Sequence, residues 1–411
     1  MKKYAILCSV AVQLFAADPE PRWMVLNHAA GQAIKAKDYA RLRATLRELK
    51  PLLPGNPQIV YNLAASEEVM GDTTAAMAGL RNLGRMGLIY DFSADQDFAP
   101  LRASSEYAAI VRQVEVNKKP VSRSSPAFTL VKPDLLPEDI AYNPKTRRFL
   151  VASVRWSKII QTDGPTSNDF AISDWPVFAL RADARRGILW AATGWAPNCE
   201  RCNAADKDKT ALLAFDLDSG ALKRRIESPV KGLFGDMTIA SDGEAFVSEG
   251  TYGAVLRLRP GATQLERLDV PGEFPSPQTP ALSADEKTLY VPDYVRGIAA
   301  ITLATGAVTW MKPADDIALS GIDGLYVFRD SFIAVQNGTT PARIVRFSLD
   351  LRNQQVLEAN APGLGQPTHG TIVGDTFYFI ANTGWEQYDD QGKKKAGAPP
   401  VISTVRKIEL K

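Results

Sequence analysis

Residues 320–338 read SGIDGLYVFRDSFIAVQNG, and they contain two apolar segments of strand length. The polar pair Arg329 and Asp330 separates the two segments and has the length of a tight turn. Short apolar runs bounded by turn residues predict a β-hairpin. Asp323 stands directly ahead of the first strand, so the pattern also places a carboxylate where that strand begins.

The same pattern occurs six times in the last two thirds of the chain, each time with a polar or proline-bearing start, a strand, a turn and a second strand. The six copies are LPEDIAYNPKTRRFLVASV from Leu136, WPVFALRADARRGILWAATGW from Trp175, FGDMTIASDGEAFVSEG from Phe234, PQTPALSADEKTLYVPDYVRG from Pro277, GIDGLYVFRDSFIAVQNG from Gly321 and PTHGTIVGDTFYFIANTGW from Pro367. From Asp236 to Gln278, to Asp323 and to His369 the steps are 42, 45 and 46 residues. Further strands follow several copies, and four strands at this period are typical of a β-propeller blade. The sequence therefore predicts six blades.

A ring of blades closes when the two ends of the chain share one blade. The segment VISTVRKIEL from Val401 is predicted to pair with AFTLVKP from Ala127, which leaves no long exposed sheet edge. In a propeller the innermost strand of each blade runs beside the central channel. The residues ahead of the six inner strands are thus expected to converge at one mouth of that channel. They are Glu138 with Asp139, Trp175, Asp236, Gln278, Asp323 and His369.

The amino-terminal third has helical periodicity instead. Leucines at 42, 46, 49 and 53 fall on one helical face, and Asn56 with Pro57 forms a helix start. The following segment resembles a tetratricopeptide repeat. The residues that carry this resemblance are Tyr61, Leu63, Ala64, Gly71, Ala75, Ala76 and Leu80. Such repeats often bind peptides in a groove, and a helical cap packed on the next domain is an equal alternative.

The predicted organisation is a short helical domain followed by a six-bladed β-propeller. Its segments are a signal peptide at residues 1–17, a tetratricopeptide-like domain at 23–116, a linker at 117–127 and the propeller at 128–411. Lys2 and Lys3 precede an apolar run at residues 4–15, which is the layout of a secretory signal. A buried first helix is the alternative. The signal predicts a periplasmic or secreted protein.

Composition narrows the possible partners. No later run is long and apolar enough to span a bilayer, and a net charge of +2 gives no strong attraction to nucleic acid. Cys199 and Cys202 remain once the signal is removed, and an oxidising compartment favours a disulfide between them. A tetrahedral zinc site would need two more ligands in a chain with only two histidines. The favoured interpretation of these cysteines is therefore a structural disulfide that closes a short local loop.

The six-copy region resembles the SMP-30/gluconolactonase/LRE-like family of propellers. PEDIAYNPKTRRFLVASV matches the glutamate-bearing first strand of that family, and GDMTIASDGEAFVSE matches its third-blade motif. PQTPALSADEKTLYVPD and GIDGLYVFRDSFIAVQNGTTPARIVRFSLD match two further blades. The resemblance covers roughly residues 128–411. It implies a propeller that holds a divalent cation in its channel and hydrolyses lactones.

The resemblance also implies a ligand set for that ion. Glu138 and Asp323 match the family's glutamate and aspartate ligands, and Gln278 stands where the family has asparagine. Carboxylates and amide carbonyls suit hard cations, and Ca²⁺ tolerates an altered ligand better than Mg²⁺ does. A bound ion would polarise a lactone or ester carbonyl and lower the pKa of a bound water. The expected cofactor is therefore a divalent cation, with Ca²⁺ favoured.

Asp323, Asp236 and His369 are the candidate catalytic residues. Asp323 would serve as a general base if its pKa were raised, and the ordinary pKa of His369 suits proton transfer. Asp236 flanks Gly235, which replaces the family's substrate-contacting asparagine. Each of the three has a structural alternative as a turn or capping residue. Trp190, Trp195 and Trp385 would line a pocket or pack in the core.

Two functions follow from these patterns. In the first, the protein is a metal-dependent hydrolase of lactones or esters, acting on a small lactone or sugar-like molecule. In the second, the propeller and the helices form a scaffold that binds a ligand, a peptide or a partner protein without turnover. The loss of the family's asparagines favours the second, and fold alone does not choose between them.

Overall fold

The computed structural model describes residues 20–411, so the predicted signal peptide at 1–17 lies outside the described residues. The described chain is helical at first and then entirely β, as the sequence predicted. None of its helices in this range has the length and hydropathy that a bilayer crossing requires.

Residues 20–411 contain five α-helices and three short 3₁₀ segments. The α-helices are α1 (Arg22–Ala36), α2 (Tyr39–Leu49), α3 (Pro57–Val69), α4 (Thr73–Arg85) and α5 (Ser105–Asn117), and the 3₁₀ segments are Gln96–Ala103, Ala204–Asp206 and Trp385–Gln387. The Asn56 side chain caps α3 by accepting the backbone N–H of Gln58, and Pro57 occupies the first turn. The predicted leucine face is buried from Leu42 to Leu53.

The remaining elements form the six-bladed propeller predicted from the repeats. Blades one to three are β3 (Pro137–Asn143), β4 (Arg148–Ser153), β5 (Lys158–Thr162) and β6 (Ser167–Ile172); β7 (Val177–Asp183), β8 (Ile188–Gly194), β9 (Thr210–Asp216) and β10 (Leu222–Glu227); and β11 (Phe234–Ile239), β12 (Ala245–Glu249), β13 (Ala254–Leu258) and β14 (Glu266–Arg267). Blades four to six are β15 (Ala281–Leu282), β16 (Thr288–Asp293), β17 (Gly297–Thr302) and β18 (Ala307–Trp310); β19 (Ile322–Phe328), β20 (Ser331–Gln336), β21 (Arg343–Ser348) and β22 (Gln354–Ala359); and β23 (Gly370–Val373), β24 (Thr376–Ile380), β25 (Thr404–Glu409) and β2 (Ser125–Thr129).

The ring closes through β2, which pairs antiparallel with β25 and joins the start of the propeller to its end. A further strand, β1 (Val121–Ser122), pairs with β22 on the outer edge of blade five. This strand falls inside the segment expected to be a linker. The buried Glu358 carboxylate holds the segment by accepting the backbone N–H groups of Arg123 at 2.8 Å and Ser124 at 2.9 Å.

Apolar side chains fill the space between neighbouring blades. Leu150 of blade one and Leu180 of blade two are fully buried in one such layer, and Phe332 and Phe347 of blade five are fully buried in another. Burying side chains of this size stabilises each contact between blades by about 1.5–3 kcal/mol per residue. The propeller is therefore a continuous packed ring around its channel.

The helices pack against blades four and five. The Leu319 backbone N–H donates to Gly55 at 2.9 Å, and the Ile89 N–H donates to Thr340 at 2.8 Å. Gly55 has φ +70°, and a side chain there would press on Leu319 at 3.0 Å. The fully buried Arg343 reaches out of blade five and donates to the Met86 carbonyl at 2.6 Å. The helices thus form a layer on the propeller, and their tetratricopeptide resemblance is not confirmed.

Candidate functional site

Irregular pairing at the start of the inner strands positions several of the predicted residues. In β19, Ile322 pairs with Gln336 and Gly324 pairs with Val335, which leaves Asp323 as the extra residue of a β-bulge. In β3 the register shifts between Pro137 and Ile140, across Glu138 and Asp139. A bulge bends the strand and changes the direction of a side chain. The polar residues were expected just ahead of these strands but lie within their first residues, and they owe their placement to this local geometry.

Four of the predicted residues meet in the channel. We call Glu138, Asp236, Asp323 and His369 the acidic cluster. The Nε2 atom of His369 lies 2.8 Å from Asp236 Oδ1 and 3.6 Å from Asp323 Oδ1. The His369 backbone N–H donates to the Glu138 carbonyl at 3.3 Å. The His369 side chain is only 3% exposed, so these charges interact with little screening by water.

Asp323 is fixed by two neutral donors. Its Oδ2 accepts from Asn337 Nδ2 at 2.7 Å and from Thr368 Oγ1 at 3.1 Å. Asn337 is held in turn by the Tyr294 hydroxyl, which donates to its Oδ1 at 3.0 Å. Asn337, Thr368 and Tyr294 were not predicted as site residues. Asn337 directly follows β20, the second strand of the hairpin in residues 320–338, and its polar character at that strand end was the available signal.

The other two carboxylates have one side-chain donor each. Trp385 Nε1 donates to Glu138 Oε2 at 2.7 Å, so this tryptophan faces the channel rather than the core. The Thr279 hydroxyl donates to Asp236 Oδ1. Each donor satisfies an oxygen that burial has removed from water.

His369 carries the positive charge of the acidic cluster. Burial alone would lower its pKa, but the carboxylates of Asp236 and Asp323 outweigh burial and raise the pKa well above 6.5. Asp236 Oδ1 forms an ion pair with Nε2 at 2.8 Å. Nδ1 has no hydrogen-bond partner within residues 20–411. His369 is therefore an imidazolium held mainly by charge.

Two carboxyl groups of the acidic cluster have pKa values that shift in opposite directions. Burial, followed by the charge of Asp323, raises the pKa of Glu138 to about 7 against the opposing effects of His369 and Trp385. Burial also acts to raise the pKa of Asp323, but His369 and the hydrogen bonds from Thr368 and Asn337 lower it overall. Near neutral pH, Glu138 is thus the carboxyl that exchanges a proton, and Asp323 stays charged.

The remaining predicted residues lie outside the acidic cluster. The Gln278 side-chain amide points back along its own segment. It donates to the Ser276 backbone carbonyl at 3.2 Å and to Ser276 Oγ at 3.0 Å. Trp175 lies away from the channel, where the Arg225 guanidinium stacks 4.4 Å from its ring. Asp139 is fully buried and pairs with Arg181 at 2.6 Å.

These placements bear on the predicted ion. Glu138 and Asp323 offer oxygen ligands of the right kind, but the Gln278 amide would have to leave Ser276 to join them. Within residues 20–411, no three His, Cys, Asp or Glu side chains are close enough together to hold a metal ion. His369 also already supplies positive charge between Asp236 and Asp323. The arrangement therefore does not assemble the expected ligand set, and ion binding stays a prediction.

A cavity of about 150 Å³ opens beside Glu138, and we call it the site mouth. Trp385 and Tyr294 form aromatic walls, while Asn337 and Thr368 contribute polar groups. The volume suits a small ring-shaped molecule rather than a polymer. Glu138 is the one member of the acidic cluster that lines this cavity in the described chain.

Cys199 and Cys202 form a disulfide in the loop between β8 and β9. Ala196, just ahead of the disulfide, packs in one buried cluster with Tyr388 and Trp385. Arg155 ties Glu200 of the same loop to Asp134, with contacts of 2.7 Å and 3.2 Å. The disulfide loop therefore supports the segment that carries Trp385.

Replacing Trp385 with Phe should raise the pKa of Glu138 above about 7. The Trp385 N–H group stabilises the charged carboxylate in the wild type, and the variant lacks this hydrogen bond. The phenyl ring keeps most of the apolar contact with the loop. Measuring the Glu138 carboxyl carbon by NMR across the titration would detect the shift. An unchanged titration midpoint would show that Trp385 does not act on Glu138.

Comparisons with known proteins concern the fold. No protein-family model matches the sequence, and neither does any curated protein. Similar solved structures include a regucalcin, described as calcium-binding, from Agrobacterium tumefaciens (16% identity, TM-score 0.47, covering 68% of this chain and 95% of that one). They also include a gluconolactonase from Xanthomonas campestris (16% identity, TM-score 0.46, covering 70% of this chain and 98% of that one). A third is a luciferin-regenerating enzyme (13% identity, TM-score 0.45, covering 67% of this chain and 92% of that one).

These neighbours are SMP-30/LRE-like propellers, the group that the sequence motifs resemble. At such identities the likeness is one of fold. The sheets of the chain itself form the six-bladed β-propeller, preceded by five α-helices in the described part, and its structural neighbours are SMP-30/LRE-like.

Proposed function

We propose that this protein hydrolyses small lactones or esters at the site mouth. The observation that carries the proposal is the convergence of Glu138, Asp236, Asp323 and His369, from four different blades, in one buried cluster beside a small cavity. Structural ion pairs between neighbouring blades would not need three carboxylates around one imidazolium. Clustered, buried titratable groups next to a cavity are typical of catalytic sites.

Glu138 is the general base in this proposal. Hydrolysis of an ester needs a water molecule that loses its proton as it attacks the carbonyl. Glu138 lines the cavity, and its pKa of about 7 allows it to accept that proton near neutral pH. Trp385 orients the carboxylate through its 2.7 Å hydrogen bond. Asp323, which stays charged, holds His369 and helps to raise the pKa of Glu138.

His369 supplies electrostatic support. Its imidazolium lies in a buried environment, where a positive charge acts more strongly than in water. The charge offsets part of the field of the three carboxylates, which would otherwise oppose the negative charge that develops on a carbonyl oxygen. The family resemblance adds the expectation of a divalent cation, with Ca²⁺ favoured. Export to the periplasm or outside the cell also remains an expectation, and the Cys199–Cys202 disulfide is compatible with it.

Turnover of a panel of small lactones and aryl esters tests the proposal. We expect saturable hydrolysis whose kcat/KM rises with pH as Glu138 loses its proton at about 7. Running the panel once with a chelator and once with added Ca²⁺ shows whether an ion contributes. Failure to hydrolyse any member under both conditions would contradict the proposal.

The alternative is a non-catalytic scaffold that binds a ligand or a partner protein. A groove of about 300 Å³ on the helices favours it, with Tyr90, Phe92 and Val111 on its walls and Lys118 at its rim. Asp91, Ser93 and Glu115 give the same groove polar groups, and its volume is within the range that small ligands occupy. In this alternative the acidic cluster is structural, and inactivity across the panel would favour it.

A further inference from the structure

The opposite end of the channel holds a second and larger cavity of about 360 Å³, which we call the far mouth. Inner strands from five blades line it, and Arg181 is its cation. Along β19, Asp323 belongs to the acidic cluster, whereas Leu325 and Tyr326 further on face the far mouth. The volume falls within the range of small-molecule sites.

The Arg181 guanidinium is only partly used by the protein. Its Nη1 donates to Asp139 Oδ2 at 2.6 Å and to the Leu180 carbonyl at 2.6 Å. Its Nε and Nη2 donate to no residue in the range 20–411, and the side chain is 18% exposed on the cavity. The Nε and Nη2 edge of arginine is a planar fork that matches the two oxygens of a carboxylate.

Asp139 does not compete for that fork. Its Oδ1 accepts the Ile140 N–H at 2.8 Å, and its Oδ2 accepts the Leu180 N–H at 2.8 Å in addition to Arg181 Nη1. The other carboxylate that acts on Arg181 is Asp236, which forms an ion pair with His369. Each of the two carboxylates that act on Arg181 therefore has a cation within 2.8 Å of it.

The walls of the far mouth are divided between polar and apolar groups. The Tyr326 oxygen accepts the Gly370 N–H at 2.7 Å, which leaves its own O–H to donate. Thr238 and Thr371 add hydroxyl groups on two other blades. Ile239, Val327 and Ile372 give the same cavity apolar surface. The one acidic residue at the rim, Glu286, is bound to the Ser241 N–H at 2.8 Å.

We propose that the far mouth binds a small monocarboxylate with a short apolar or aromatic group. The carboxylate takes the Nε and Nη2 edge of Arg181, and the apolar group lies against Ile239 and Ile372. This site is separate from the site mouth and does not depend on hydrolysis there.

Binding of benzoate, with benzamide as its uncharged counterpart, tests the assignment by NMR titration of the intact protein. We expect saturable binding of benzoate and at least about tenfold weaker binding of benzamide, since the amide cannot accept from both edge nitrogens. Arg181→Lys keeps a cation for Asp139 but removes the fork, and should weaken benzoate binding about tenfold. Arg257→Lys, on the outer part of blade three, is the matched control and should bind as the wild type does.

Equal binding of benzamide and benzoate would overturn the proposal, as would unaltered benzoate binding by Arg181→Lys. A second variant covers the case in which Arg181→Lys does not fold. Ile239→Asp places a negative charge on the cavity wall at a partly exposed position and should abolish saturable benzoate binding. Benzoate affinity at the wild-type level in that variant would also overturn the proposal.

Discussion

Replacing Glu138 with Gln should lower kcat/KM for lactone or ester hydrolysis by about 10²–10⁴-fold, the range that a general base contributes. Gln has the same size, and its carbonyl oxygen still accepts the Trp385 N–H, so the cavity keeps its shape. Unlike the Glu138 carboxylate, the Gln amide cannot take a proton from water. Steady-state kinetics on the best substrate of the panel would measure the loss.

A matched control is Glu227→Gln, at a carboxylate that is 64% exposed on blade two and pairs with Arg225. That variant should retain wild-type activity. If Glu138→Gln hydrolyses substrate at the wild-type rate, Glu138 is not the base and the proposed mechanism is wrong.

Glu138 also links stability to pH. Its pKa rises from 4.5 to about 7 on folding, so the folded state holds the proton more tightly than the unfolded state does. The stability that it contributes is fully present below pH 4.5 and is lost as the pH rises through about 7. The Glu138→Gln variant has no carboxyl group at this position, so its stability does not fall for this reason as the pH rises. The difference in unfolding free energy between the variant and the wild type should therefore grow over that interval and level off above it.

Replacing His369 with Gln should lower the free energy of unfolding by about 3–5 kcal/mol at neutral pH, because removing one partner leaves buried carboxylates without a counter-charge. Asp236 and Asp323 are the carboxylates left unpaired. Chemical denaturation followed by circular dichroism would give the value. This loss is a large fraction of the stability of an ordinary domain.

The chain supplies its own control, because it has only two histidines. His28 lies on α1 with a side chain that is 64% exposed, so His28→Gln should change stability by no more than about 0.5 kcal/mol. Adding Asp236→Asn to His369→Gln should recover part of the loss, since the two residues interact directly. Equal stability of His369→Gln and the wild type would show that the imidazolium does not hold the acidic cluster.

The propeller followed from the sequence because its period is long and regular. The copies from Leu136 to Pro367 each carry a complete hairpin, and stacking such hairpins around an axis buries their apolar faces. Closure through β2 and β25 followed from the same reasoning. Strand β1 was not foreseen. Its two residues have no distinctive pattern, and they pair only because Glu358 of a distant blade holds the segment beside them.

The acidic cluster was predictable only as far as topology determines it. Placing Glu138, Asp236, Asp323 and His369 near one another needs only the rule that inner strands surround the channel. Side-chain directions depend on local partners that one sequence does not reveal. Gln278 turns to Ser276 two residues earlier, and Trp175 turns outward to Arg225.

The donors that hold the acidic cluster were missed for a related reason. Asn337 and Thr368 come from a strand end and a turn, where polar residues are ordinary. Their role appears only when blades five and six are side by side. The pairing of Asp139 with Arg181 likewise joins two blades, and nothing in either segment alone distinguishes it.

The protonation state of His369 reports whether the blades bring the charges of the acidic cluster together. Nitrogen-15 NMR of the two histidine rings would report it as the pH is raised past 6.5, with His28→Gln used to assign the signals. We expect His369 to keep both ring protons well above pH 6.5, because Asp236 and Asp323 hold the charged ring. A His369 ring that loses its proton near 6.5, as an isolated histidine does, would contradict this expectation.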